Sequence, residues 1–205
     1  MMVGVQRLKQ MLLGWGTVGV IYSFCDRLQG EGYRLDPWAI DRLTHFLPSA
    51  VWLYLSFFLI IPAGYFLVPL SALSRLTRSM QFAALGAGAI YLLWPTTMQY
   101  PPLTSQGISS DVLAWLISID SRQNCFPSLH AALTLLALRA IAARHQAILT
   151  LAAVVWALAI AVSILQLRRH LFIDIVGGVF LAWGSDWLAM HWNKRKKNHR
   201  EPGYE

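Results

Sequence analysis

Long apolar runs separated by short polar tracts dominate this 205-residue chain. A helix that crosses a bilayer needs about 20 mostly apolar residues. Six segments approach that pattern: 8–25, 47–73, 78–95, 129–143, 147–167 and 172–192. The fourth is short and carries Arg139 near its end, so it either starts a little earlier or lets that side chain snorkel to the interface. The first follows Arg7 and Lys9 and has the length of a signal-peptide core. No small-residue cleavage site follows it; the chain reads Tyr22-Ser23-Phe24-Cys25-Asp26, which favours a retained, short first span. The connection 96–128 is rich in breakers, with Pro101, Pro102 and Gly107 following Pro95. Inside it, Asp111 to Asp120 spaces apolar residues as a helix does and predicts a short helix lying on the membrane surface. The pattern predicts an all-α fold, a six-transmembrane-helix bundle. Residues 1–193 form one membrane-embedded domain, and 194–205 form a disordered basic tail.

Composition supports a membrane reading. Charged residues make up 13% of the chain, about half the usual soluble share of about 25%. Nine tryptophans fit an aromatic interfacial belt. The net charge of +7 would suggest nucleic acid in a soluble protein, but here its distribution follows topology. Arg7, Lys9, Arg75, Arg78, Arg139, Arg144, Lys194, Arg195, Lys196, Lys197 and Arg200 all fall on one set of helix ends, 11 of the 17 basic residues. The other set holds Arg27, Arg34, Arg42, Arg122, Arg168 and Arg169, the first three offset by Asp26, Glu31, Asp36 and Asp41. The positive-inside rule therefore places both termini in the cytoplasm. It leaves connections 26–46, 96–128 and 168–171 outside. The basic tail is expected to touch anionic lipid headgroups, not nucleic acid. Cys25 and Cys125 lack metal-ligand spacing, and both fall outside, where a disulfide is chemically permitted. Asp186, inside the sixth span, is expected to pair with a neighbouring helix.

Two short stretches carry the candidate chemistry. In Cys125-Phe126-Pro127-Ser128-Leu129-His130, Pro127 and Ser128 are good helix-start residues. The first turn of a helix offers free N–H groups and a positive dipole end, which suit an anion. His130 stands in that turn and can donate a proton to a leaving group. In Arg168-Arg169-His170-Leu171-Phe172-Ile173-Asp174, the i, i+4 spacing of His170 and Asp174 puts them on one helix face. A carboxylate there fixes the imidazole tautomer and frees the other nitrogen as a nucleophile. Arg168 and Arg169 suit bidentate phosphate contacts. The two histidines are 40 residues apart in the chain, yet in the six-span arrangement they share one face of the bilayer.

The pairing of FPSLH with RRHLFIDIVGG resembles the second and third motifs of the type 2 phosphatidic acid phosphatase superfamily. SLH in place of the common SGH, with H-x-x-x-D followed by two apolar residues and Gly-Gly, is similar to the branch containing inositol phosphorylceramide synthases. Asp41 to Tyr65 also resembles that branch's early span. The resemblance implies a six-helix membrane fold and phosphoryl transfer through a phosphohistidine, with no metal or other cofactor. It makes His170 the nucleophile, Asp174 its orienting partner and His130 the general acid. Ser128 and the backbone after it, at Leu129, become a phosphate cradle. Two features depart from the family pattern. The first motif, a Lys followed by Arg-Pro, is missing from WPTTMQYPPL, and Ile164 stands where the third motif has an arginine. Phosphate-neutralising charge then falls to Arg168, Arg169 and Arg122. The resulting expectation is a lipid-phosphate phosphatase working at the outer face of a cell or inner membrane. The alternatives are a lipid headgroup phosphotransferase and a non-catalytic transport or scaffold protein.

Overall fold

The computed structural model describes residues 2–28 and 30–198. Nine α-helices occur among them: α1 (Met2–Leu28), α2 (Ala39–Leu43), α3 (Val51–Leu55), α4 (Phe57–Leu67), α5 (Leu70–Leu93), α6 (Ile108–Ile119), α7 (Leu129–Ala142), α8 (Ala147–Gln166) and α9 (Phe172–Asn198). Three stretches are long and apolar enough to cross a membrane: Pro48–Leu67, Ala147–Gln166 and Phe172–Asn193. Helices α1 and α5, of 27 and 24 residues, have the length but carry charged residues, Arg7, Lys9, Arg75 and Arg78 among them. Helices α6 and α7 are apolar but shorter.

The fold is not purely helical. A two-stranded parallel pairing joins β1 (Tyr33–Arg34) to β2 (Thr96–Thr97), with Tyr33 opposite Thr96. Thr96 also bridges to Asn124. Backbone groups in such connections need partners once covered, and here the two long connections supply them to each other.

Several element boundaries differ from the apolar pattern. The run 47–73 is divided at Ser56 and stops at Leu67. Pro69 forces Val68 into extended backbone, and α5 then starts at Leu70. Arg75 and Arg78 therefore lie on a helix and not in a loop. Helix α6 matches the short helix expected over 111–120. Helix α9 runs through Asn198, so the first five residues of the expected disordered tail are helical; 199–205 lie outside the described residues. Cys25 and Cys125 are both free and buried. Cys25 donates to the Gly88 carbonyl at 3.6 Å, and Cys125 Sγ sits 3.3 Å from Tyr100 Oη. No disulfide joins them, because one packs between α1 and α5 and the other lies in the loop before α7.

Helices α5 and α7 form the centre. Helix α5 packs on α1, α7 and α9, and α7 packs on α4, α5, α8 and α9. Small residues permit the closest approaches, as is common where helices meet in lipid. A Cβ on Gly64 would stand 3.0 Å from Ala137 Cα. One on Gly178 would collide with the Ser128 carbonyl oxygen, and one on Gly177 with the Phe126 ring. Gly184, one helix face away, has open space around it. Gly178→Val is therefore expected to lower stability by about 1–3 kcal/mol through overpacking. Gly184→Ala should stay within about 0.5 kcal/mol. Thermal unfolding of both variants in the same detergent tests this, and equal midpoints would contradict the packing argument.

Candidate active site

The start of α7 is assembled from three elements. Ser128 is its N-cap, in extended conformation, and its Oγ accepts from the Ala131 N–H at 3.3 Å. The Ser128 N–H donates to the Asp174 carbonyl on α9 at 2.9 Å. Tyr91 of α5 donates to the Pro127 carbonyl at 2.7 Å and faces the Leu129 N–H. Ser128 is fully buried, so its hydroxyl is committed to capping in this state, and the Leu129 N–H faces a tyrosine.

The start of α9 departs from the expected geometry. His170 precedes the helix, which begins at Phe172, so His170 and Asp174 do not share a helix face. Arg168 adopts φ 52° and turns the chain. Asp174 Oδ2 then accepts the Leu171 N–H at 2.7 Å. A second carboxylate arrives from α2. Asp41 Oδ1 accepts the Phe172 N–H at 2.7 Å, and its Oδ2 accepts the Trp38 N–H at 2.8 Å. Both acids favour the positive end of α9. His170 Nδ1 lies 3.5 Å from Asp174 Oδ2. That is ion-pair range but not hydrogen-bond geometry, and both His170 Nδ1 and Asp174 Oδ1 are buried without a hydrogen-bond partner.

The expected pairing of the two histidines is present in space. The His130 and His170 rings are 5.8 Å apart between centroids, edge to face. His130 is wedged against Tyr54 and Phe57, at 4.7 and 4.6 Å. Tyr54 Oη lies 2.9 Å from His130 Nε2. Tyr54 gave no signal in the sequence: it is one of seven tyrosines and sits in an apolar run.

The three arginines have different surroundings. Arg169 is inside, with a side chain 2% exposed. Its Nη2 and Nε reach Asp120 Oδ2 at 2.7 and 3.2 Å, and its guanidinium lies 5.1 Å from the Tyr100 ring centroid. The Tyr22 hydroxyl donates to the other Asp120 oxygen. Burial opposes ionisation of Asp120, but Arg169, His130 and the Tyr22 hydroxyl together outweigh it and hold the carboxyl below its usual range. Arg168 donates to the Thr44 carbonyl at 2.6 Å. Arg122 is exposed, and its carbonyl, not its guanidinium, meets Tyr100 Oη at 3.1 Å. Asp120 and Asp41 were legible only as acids at the edges of apolar segments, without a partner assigned. Among the described residues no three His, Cys, Asp or Glu side chains gather as a metal site.

Two cavities flank the cluster. One, of about 230 Å³, runs between α1, α3, α4, α6 and α7, with Trp15, Phe58, Leu116 and Leu133 on its walls and His130 and Asp120 in its lining. The other, of about 350 Å³, is lined by Arg42, Gln99, Tyr100, Arg168 and Leu171.

The buried pair yields a test. A depressed carboxyl pKa contributes stability above its unfolded value, and that stability is lost as pH falls through the folded value. Acid should therefore destabilise the wild type by protonating Asp120. Asp120→Asn should cost about 3–5 kcal/mol at neutral pH by leaving Arg169 buried and unpaired. Asp120→Asn with Arg169→Met should recover most of that loss. Unfolding midpoints of the three proteins across pH decide the matter; a double variant no better than the single one would refute the pairing.

Residues 37–188, which are 152 of the 205, match the family model described as the PAP2 superfamily. No curated protein and no solved structure matches the chain. The matched region contains Asp41, Tyr54, Asp120, both histidines and Asp174. A match over most of the chain, spanning both histidine-bearing helix starts, makes this protein a member of the PAP2 superfamily, whose members are phosphatases or phosphotransferases.

Proposed function

We propose that this protein is an integral membrane lipid-phosphate phosphatase working through a phosphohistidine on His170. One observation carries the reading: the largely apolar cavity between α1, α4 and α6 ends on His130 and Asp120. A lipid tail lying there presents its phosphate ester oxygen to His130, so the lipid is the leaving group. The phosphorus then faces His170, whose ring is the next one in the cluster.

The steps follow from that placement. His170 Nε2 attacks phosphorus, and the bond from phosphorus to the lipid oxygen breaks. His130 passes its proton to that oxygen. Asp174 holds the Nδ1 proton of His170 once the 3.5 Å separation closes. Water, losing a proton to His130, then attacks phosphorus, and the nitrogen–phosphorus bond breaks to release phosphate. Charge on the phosphoryl oxygens is met by Arg169 and by the positive end of α7, where Ser128 and Leu129 exchange their present partners for the phosphate. Arg168 and Arg122, at the rim, meet the arriving headgroup. Tyr54 holds the His130 ring through its 2.9 Å contact.

In the bilayer, α1, α3 with α4, α5, α7, α8 and α9 cross, and α6 lies at the surface. Residues 1–193 act as one catalytic unit. The 14 residues of α7 span roughly 21 Å at 1.5 Å each, which sinks His130 below the interface. Charge bias puts both termini in the cytoplasm and the histidines on the outer side of the plasma or inner membrane. A second reading is headgroup transfer, in which an alcohol replaces water. The cavity beside His170's neighbour Leu171 favours it as an acceptor site, because Arg42, Gln99 and Arg168 place polar groups in its otherwise apolar lining.

The test is phosphate release from a panel of lipid phosphates by purified protein, with and without polyols. Free phosphate supports the phosphatase, and a phosphorylated alcohol supports transfer. His170→Ala should abolish turnover, and His130→Ala should lower it about 10²–10⁴-fold. Acid-labile phosphate should be trapped on histidine. Full activity in either variant would defeat the mechanism. Tyr54→Phe should lower kcat about ten-fold, with KM nearly unchanged and a displaced pH profile; an unchanged profile would remove Tyr54 from the mechanism.

A further inference from the structure

Far from the histidines, α5, α7 and α9 build a second polar site that the proposed chemistry leaves unused. Asp186 accepts from Arg75 Nε at 2.7 Å and Nη2 at 2.6 Å. Arg139 Nη2 lies 2.8 Å from the same carboxylate, and Ser79 Oγ donates to it at 3.2 Å. These side chains line a cavity of about 130 Å³ together with Val68, Ala72 and Leu136. Along α9, Asp186 is 12 residues beyond Asp174, roughly 18 Å at 1.5 Å per residue. The site is therefore separate from the histidine cluster.

Its charge is unbalanced. Two guanidiniums share one carboxylate, leaving one net positive charge. The carboxylate is covered, at 10% side-chain exposure, whereas Arg75 and Arg139 are 36% and 45% exposed. The open face of the pocket is thus cationic, and the guanidinium N–H groups not turned to Asp186 suit phosphate oxygens. Nearby cations have other work. Arg7 donates to the Tyr65 and Val68 carbonyls at 2.6 and 2.8 Å, and Arg144 donates to the Leu67 carbonyl at 3.3 Å. Both cap the C-terminal end of α4.

We infer that this pocket binds the phosphate of an anionic phospholipid, on the membrane face opposite the histidines. One net positive charge matches the single negative charge of a phosphodiester. Apolar residues of α5 and α7, Leu76 and Leu136 among them, line the same pocket and suit the acyl end of such a lipid. The inference rests on the membrane setting, not on the proposed chemistry.

The test uses the full chain in a neutral detergent, titrated with phosphatidylglycerol, with phosphatidylcholine or with soluble glycerol phosphate. Phosphatidylglycerol should raise the unfolding midpoint and be retained over phosphatidylcholine in native mass spectra. Arg139→Gln keeps the bidentate Arg75–Asp186 pair but removes the net charge, and it should weaken the phosphatidylglycerol effect roughly five-fold. Arg27→Gln, a matched charge loss elsewhere, should leave it intact. Asp186→Asn, which raises the net charge, should strengthen it and serves as the deciding arm if Arg139→Gln does not fold. The inference is overturned by no preference for phosphatidylglycerol, by equal losses in Arg139→Gln and Arg27→Gln, or by weaker binding in Asp186→Asn. Equal protection by glycerol phosphate overturns the lipid assignment.

Discussion

The close approach of α9 to the start of α7 is the constraint on which the candidate site depends. Gly178 lies so near the Ser128 carbonyl that no Cβ fits between them. The Ser128 N–H, in turn, donates to the Asp174 carbonyl. These two contacts lock one helix start against the other in a single register. His130, two residues after Ser128, and His170, four before Asp174, then come together with ring centroids 5.8 Å apart. The surrounding bonds serve the same junction: Tyr91 holds Pro127 on the α7 side, and Asp41 holds Phe172 on the α9 side. A two-residue slip along either helix would move its histidine by roughly 3 Å, more than a phosphoryl-transfer geometry tolerates.

Electrostatics around that junction explains how the bundle keeps a buried arginine. Transferring an isolated guanidinium into an apolar interior is very costly, so Arg169 is found with Asp120 and stacked near Tyr100. Asp120 offsets the charge that Arg169 brings. The start of α7 adds the positive end of its dipole, although its Ser128 and Ala131 N–H groups are already bonded and its Leu129 N–H faces Tyr91. The α9 start contributes little, because Asp41 and Asp174 already occupy its N–H groups.

The molecule carries a second polar junction on the same helices. Near their far ends, α7 and α9 are joined to α5 by Arg139, Asp186 and Arg75. Arg139 does not snorkel freely but is anchored to an acid that it shares with Arg75 and that the bundle covers. Charged residues inside membrane segments are rare and usually functional. Here two such groups stand at opposite ends of one helix pair, with packed small residues between them.

Much of the helical architecture was legible in the residues themselves. Apolar runs, Pro127-Ser128 before Leu129, and the short amphipathic stretch after Gly107 are local signals, and a helix or its cap forms within one or two turns of the residues that encode it. The two histidine motifs were legible for the same reason. The break at Ser56, the early start of α5 and the position of His170 before α9 were not, because they depend on Pro69, Arg168 and Asp174 acting within a packed setting. Least legible were the partners: Tyr54 for His130, Asp120 for Arg169, Asp41 for Phe172, Asp186 for Arg139. Their sequence separations run from 47 to 131 residues. The amino-acid order alone determined which segments become helices and which residues carry chemistry. Only the tertiary structure decided which of those residues meet, because that depends on which helix faces pack together, and the apolar pattern constrains those faces only loosely.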